Sequence, residues 1–328
     1  MTPRREETGA ALLMVLMLVA VIAVLAAVSL ERLKIATRAS INMIAIDQAR
    51  AYGYAAEAVA LSRIADLVAI DPTRTTLAGD WNGRTVPFPI DGGIASARVS
   101  DGGNCFNLNS VVSRQAQNQT LFARPVAIEQ FASLMLTIGV PDSSAKSIAA
   151  ALADWIDSDS VPVTGGAEDG AYGGAQAGYR TANGLMVDPS EIRVLAGMTP
   201  EIYATVRPWV CALPVAELSP INVNTIAPAQ APLIAMLLPN GIDVRTAKRV
   251  IDERPANGYA NAVSFWNSPA FAGRTPAGEA QGQVQTRTRW FALDLSIALA
   301  GSELRETALV DAEEAPARLV RRAYGDPA

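Results

Sequence analysis

Ala10 to Leu30 is an uninterrupted apolar run in which Ser29 is the one polar side chain. At 1.5 Å per residue its 21 positions reach about 30 Å as a helix, the thickness of a bilayer's hydrocarbon core. The helical pattern does not stop there. Leu33, Ile41, Ile44, Ala45, Tyr52, Ala55, Val59 and Ile64 recur at roughly helical spacing, with no proline between Ala10 and Ile70 and Gly53 the single glycine. Pro72 then ends the run. The pattern predicts one helix of about 60 residues, a membrane-spanning part over 10–30 and a water-exposed stalk over 31–70. A cleavable secretory signal is the competing reading, but its apolar core is usually shorter and its helix does not continue.

Beyond the stalk the period changes. Trp81 to Pro89 and Ile94 to Val99 flank Asp91-Gly92-Gly93 and read as a hairpin. Phe291, Leu293, Leu295, Ile297 and Leu299 alternate with Asp294 and Ser296, Glu303 to Val310 follows the turn at Gly301-Ser302, and Ala317 to Tyr324 adds a further strand. These patterns predict an α+β body over 71–110 and 281–328, a long N-terminal helix packed on an antiparallel sheet. Between them, 111–280 reads as an inserted α-helical domain. It contains an internal echo: Phe106-Asn107-Leu108-Asn109 recurs as Ile221-Asn222-Val223-Asn224, each ahead of helical stretches holding Ala145-Lys146 or Ala247-Lys248. In the first of these helices Ala145, Ile148, Ala149, Leu152, Trp155 and Ile156 form the apolar stripe, with Asp142 or Ser143 as N-cap and Asp154 on the opposite, water-facing side.

Composition narrows the chemistry. The 328 residues are 50% hydrophobic and 18% charged, with a net charge of −5 and no histidine. Histidine-based triads, zinc sites and pH switches are thereby excluded. The acidic balance speaks against a nucleic-acid partner. Cys105 and Cys211 have no CxxC spacing: two buried thiols in a reducing compartment, one disulfide in an oxidising one.

The densest chemistry lies in 154–191. Asp154, Asp157, Asp159, Glu168, Asp169, Asp188 and Glu191 share this segment with one basic residue, Arg180, amid glycines and prolines. Such a loop repels itself unless a cation gathers the oxygens, and hard oxygen ligands without His or Cys select calcium. A solvated acidic loop is the plain alternative. A glycosidase-like carboxylate pair fits less well, since only Tyr172 and Tyr179 offer an aromatic platform.

The leader Met1 to Gly9, with Arg4 and Arg5, followed at once by the apolar helix, resembles type IV pilins and pseudopilins. The resemblance implies cleavage by a prepilin peptidase between Gly9 and Ala10, methylation of the new N-terminus, and a single-pass inner-membrane protein with its body in the periplasm. Most of that family carries glutamate at the fifth mature position; here it is Met14. This departure, and Asp154-Trp-x-Asp157-x-Asp159 with Gly166-Ala-Glu168-Asp169, Tyr179-Arg180-x-Ala-Asn183 and Glu191-x-Arg193, resemble the K-type minor pseudopilin of the type II (general) secretion pathway. The resemblance implies a non-enzymatic subunit that initiates or caps the pseudopilus tip for protein export. Its partners would be the I- and J-type minor pseudopilins and other pseudopilus subunits. It further implies a calcium site formed by Asp157, Asp159, Glu168, Asp169, Asn183 and Glu191, with a carbonyl such as that of Val161 assisting and Asp188 in reserve. In a periplasmic body Cys105 and Cys211 should be paired. Segment 221–270 resembles a helix-hairpin-helix module, which keeps a membrane-anchored DNA-binding or uptake protein as the alternative. A calcium-dependent periplasmic hydrolase is the weaker third reading.

Overall fold

The computed structural model describes residues 5–115, 119–173, 178, 180–274, 276 and 278–325. Helix α1, Arg5–Ile70, is continuous over 66 residues. Thr73 N–H and its hydroxyl both donate to the Asp71 carboxylate just beyond its end. The side chains described over the apolar run are exposed, and this is the one helix among the described residues apolar and long enough to cross a membrane. Farther along, Ala49, Ala60 and Ile64 are buried against the sheet. Small side chains there let the helix backbone approach the strands closely.

Five strands form that sheet in the order β1-β2-β3-β4-β5, all antiparallel: β1 Thr85–Ile90, β2 Gly93–Asp101, β3 Trp290–Leu299, β4 Ser302–Asp311 and β5 Arg318–Tyr324. Thus the alternation at Phe291 to Leu299 does bury one face. The first hairpin is tighter than the sequence implied: β1 begins at Thr85 instead of Trp81, and Ile90 pairs with Gly93 across the turn. Trp81 instead packs its ring on Phe291. Helix α1 follows the strands, with Ala49 against Ala95 and Ile297, and Ile64 against Phe291 and Val310. Register pairs Gly93 with Leu299 at the end nearer the apolar run and Asp101 with Phe291 at the other. The chain between Asp101 and Trp290 therefore leaves and returns at the end of the sheet remote from the membrane-length segment.

This insertion has its own core, which runs from Phe106 to Val284 and includes Phe131, Ile148, Leu152, Ile234 and Phe265. It reaches past 111–280 at both ends, taking in the first Asn-x-Asn segment at 106–109 and Val284. Phe106–Asn107 pairs in parallel with Val210–Cys211, and Ile221–Asn222 with Val284–Gln285. The internal echo is structural. Asn109 takes the backbone of Met186 by both ends, accepting from its N–H and donating to its C=O, each at 2.8 Å. Asn224 does the same to Tyr259, at 2.6 and 3.0 Å. In each module the preceding asparagine, Asn107 or Asn222, accepts from the N–H two residues on. A buried amide that closes on both backbone groups of one residue satisfies an N–H and a C=O that would otherwise cost about 1–3 kcal/mol each.

Cys105 and Cys211 form a disulfide with Cα atoms 5.8 Å apart, bracing the first module. Side chains also tie the insertion to the body. Asp101 accepts from the hydroxyls of Thr225 and Thr288 at 2.6 and 2.5 Å. Arg289 bridges Asp311 and Glu217, and Arg321 on β5 donates to the carbonyls of Val187 and Ala212.

Candidate metal centre

Helix α2, Pro125–Thr137, is followed by α3, Asp142–Ile156, which carries the acidic segment on its C-terminal end. Asp142 is its first residue and pairs with Lys146 at 2.9 Å, so the expected side-chain N-cap is absent and Pro141 occupies that position. The apolar stripe is buried as expected. So are Ala150, Ala151, Ala153 and Asp154 on the other side, because the chain folds back over the helix. Asp154 thus does not face water. Its Oδ1 accepts from Val163 N–H at 2.8 Å, and its buried Oδ2 has no hydrogen-bond partner among the described residues.

The helix ends at Asp157, whose N–H still donates to Ala153 C=O. Asp157, Asp159 and Glu168 each bring a carboxylate oxygen within 4.8 Å of the others. Asp157 is 1% exposed, Glu168 is half-buried and Asp159 is open to solvent, so the cup has a closed floor and an open rim. One buried oxygen on each of Asp157 and Glu168 lacks a partner, as does Asp154 Oδ2. Buried carboxylate oxygens are ordinarily hydrogen-bonded, so unpartnered oxygens on Asp157 and Glu168, two of the three clustered carboxylates, fit a cation. The charges agree. Burial, then Asp159, Asp154 and Glu168, push Asp157 up to about 7. Burial and the same neighbours also raise Asp154 and Glu168.

Two other expected ligands, Asp169 and Glu191, lie outside this trio and accept hydrogen bonds from the chain. Asp169 accepts from Thr181 N–H and hydroxyl at 2.8 and 2.9 Å, and these bonds hold it below the usual carboxylate range. Glu191 accepts from the N–H groups of Val187 and Asp188. Asp188 in turn caps the short helix Pro189–Val194 through Ser190 N–H. Asn183, exposed and at φ 47°, passes its N–H to Trp155 C=O. Tyr179 lies outside the described residues. What the sequence reading missed is the burial of Asp154, whose charge there helps raise the carboxyl groups of Asp157 and Glu168.

Set against the second module, the acidic segment is an elaborated turn. There, helix Val244–Asp252 reaches Tyr259 through a short connection, whereas in the first module α3 ends at Ile156 and the equivalent residue is Met186. The second module's helix is capped by Asp243, which accepts from Thr246 N–H at 2.8 Å. Its own carboxylate thus occupies the helix N-terminus where a phosphate would sit.

Comparison with known proteins gives one answer. The family described as type II secretion system (T2SS), protein K, matches residues 104–215 and again 221–287, the two modules of the insertion. "Type II secretion system protein K" of Pectobacterium carotovorum subsp. carotovorum is 31% identical over 322 residues, covering 98% of both chains. The protein of that name from Klebsiella pneumoniae is 31% identical over 320 residues, 98% of this chain and 97% of its own. Among solved structures, the crystal structure of the GspK-GspI-GspJ complex from enterotoxigenic Escherichia coli superposes with a TM-score of 0.74 and 27% identity, covering 85% of this chain and 96% of that one.

Proposed function

This chain belongs to the type II secretion system protein K family of minor pseudopilins, and on that premise we propose that it begins and caps the pseudopilus tip in protein export. One observation carries the reading. The insertion sits on the end of the sheet remote from the apolar helix, where a further subunit stacked above would have to seat. A filament assembled from below ends in such a subunit. Met14 supports the same position: a subunit with no earlier neighbour has no ammonium for a glutamate to neutralise in hydrocarbon, where an unpaired carboxylate is costly.

The partners proposed are the I- and J-type minor pseudopilins, the chains that accompany the relative in its solved complex. The single apolar helix is taken to anchor the chain in the inner membrane after prepilin peptidase cuts between Gly9 and Ala10, with the body in the periplasm. The subunit is structural and carries no catalytic role. Calcium is proposed for the acidic cup, held by Asp157, Asp159 and Glu168 with Asp154 behind them. A hard divalent ion there would replace carboxylate repulsion with attraction and order the loop.

The test is co-purification of the detergent-extracted full chain with co-expressed I- and J-type subunits. A stable complex is expected, and N-terminal sequencing of the recovered chain should begin at Ala10. A chain that stays alone would overturn the tip reading, and a mature start near Glu31 would overturn the anchor.

A further inference from the structure

Glu57 lies on α1 where the stalk crosses the sheet, and Glu306 lies on β4 beneath it. Both are buried, at 5% and 1% exposure. Arg322 on β5 forks onto Glu57 through Nε and Nη2, and its Nε stands 3.5 Å from Glu306 Oε1. Two carboxylates against one guanidinium leave an excess negative charge inside the joint. Yet among the described residues neither Glu306 oxygen has a hydrogen-bond donor. Gly53, the single glycine between Ala10 and Ile70, marks the spot: a Cβ there would stand 3.2 Å from Glu306 Oε2. The helix is bare at the one point where this carboxyl meets it.

We propose that the stalk is fastened to the sheet by a proton held between the Glu57 and Glu306 carboxyl groups, and that the fastening weakens as rising pH draws this proton into solvent. A protonated Glu306 donates to the Glu57 carboxylate, which removes both the excess charge and the unpartnered oxygen in one step. The other titratable groups at the joint leave that assignment in place. From α1 comes Tyr54, with the Arg322 guanidinium 4.8 Å above its ring. From β5 comes Tyr324, which pairs directly across from Glu306 and is pushed up to about 12 by burial, by a hydrogen bond with Tyr54 and by Glu306. From β3, Leu295 faces Glu306 in register and brings no charge. Burial, then the Glu57 carboxylate, push Glu306 up to about 8. Glu57 itself is opposed by burial but held low by Arg322 and by Glu306.

The sign follows from the raised group. Opened to solvent, Glu306 titrates near 4.5; in the joint it titrates near 8. Below the lower value both states hold the proton and the fastening is at full strength. Between the two values only the closed joint holds it, so opening becomes about tenfold more frequent per pH unit. Above the higher value the contribution is gone.

Hydrogen exchange of the full chain in detergent reads this directly, at the amides of α1 residues 49–60, after correction for base catalysis of exchange itself. In the wild type, opening should rise about fiftyfold from pH 6 to pH 8, the slope flattening as the closed joint itself loses the proton near pH 8. Glu306→Gln, which keeps a donor for Glu57 but carries no titratable proton, should be flat over that range. A flat wild type, or a Glu306→Gln chain with the wild-type slope, overturns the proposal. Should that variant fail to fold, infrared spectra of glutamate-labelled protein in a Glu168→Gln background decide instead. A protonated carboxyl band at pH 7 that disappears above about pH 8 is expected, and its absence at pH 7 overturns the proposal.

Discussion

Gly166 lies so close against Asp154 that a Cβ on the glycine would overlap the aspartate's Oδ2. The loop can fold back over α3 because this position has no side chain, and the folding back is what buries Asp154 and closes the floor of the acidic cup. Gly166→Ala should push the loop off the helix. We expect a loss of about 1–3 kcal/mol, the usual cost of overpacking, and a weakened response to calcium, both read in thermal melts with and without chelator.

Calcium itself should stabilise the protein by RT ln(1 + [Ca]/Kd), about 2.7 kcal/mol at a hundredfold excess over Kd. Asp157→Ala or Glu168→Ala should abolish that increment, and Asp154→Ala should reduce it. Glu191→Ala is the informative contrast. It removes a helix-capping partner and should lower the baseline by about 1 kcal/mol while leaving the increment intact. Magnesium should do much less, since it keeps its waters and its octahedral geometry. Titration calorimetry that finds no calcium binding would leave the segment as a solvated loop.

The paired asparagines separate the two modules. Asn109→Ala and Asn224→Ala each strand the N–H and C=O of one buried residue, so each should cost at least about 2 kcal/mol in denaturant unfolding. Only Asn109 holds Met186, the far end of the acidic loop. Asn109→Ala should therefore also weaken calcium binding, whereas Asn224→Ala should leave it unchanged.

Removing the Cys105–Cys211 bridge by paired serine substitution should destabilise the fold by about 2–5 kcal/mol. The bridge spans 106 residues and pins the parallel strand pair that frames the first module. The check is the denaturant midpoint of the variant beside the oxidised wild type.

Met14→Glu probes the tip position. A glutamate there has no ammonium to meet if no subunit precedes this one, and hydrocarbon penalises it. Secretion should fall in a strain carrying the variant, measured as exported enzyme activity. Unchanged secretion would make the methionine incidental.

The length of α1, the alternation that gives the sheet its buried face, and the repeated Asn-x-Asn segments could all be read along the chain, because each is a local periodicity or a short motif. Asp157, Asp159 and Glu168 were legible as an acidic cluster for the same reason. Helical phase put Asp154 on a solvent face, and it is buried because 163–167 returns over α3, a contact no local pattern encodes. The fate of Asp169 was decided similarly, by the Thr181 donors that folding brought within reach, whereas Glu191 closes a capping box with Asp188 that the local Asp-x-x-Glu spacing already encodes. Nothing in sequence linked Glu57 to Glu306 and Arg322, which stand 249 and 265 positions beyond it. Local spacing determines which face of an element is apolar. Which charges meet beneath that face depends on how distant elements pack, and only the tertiary structure decides it.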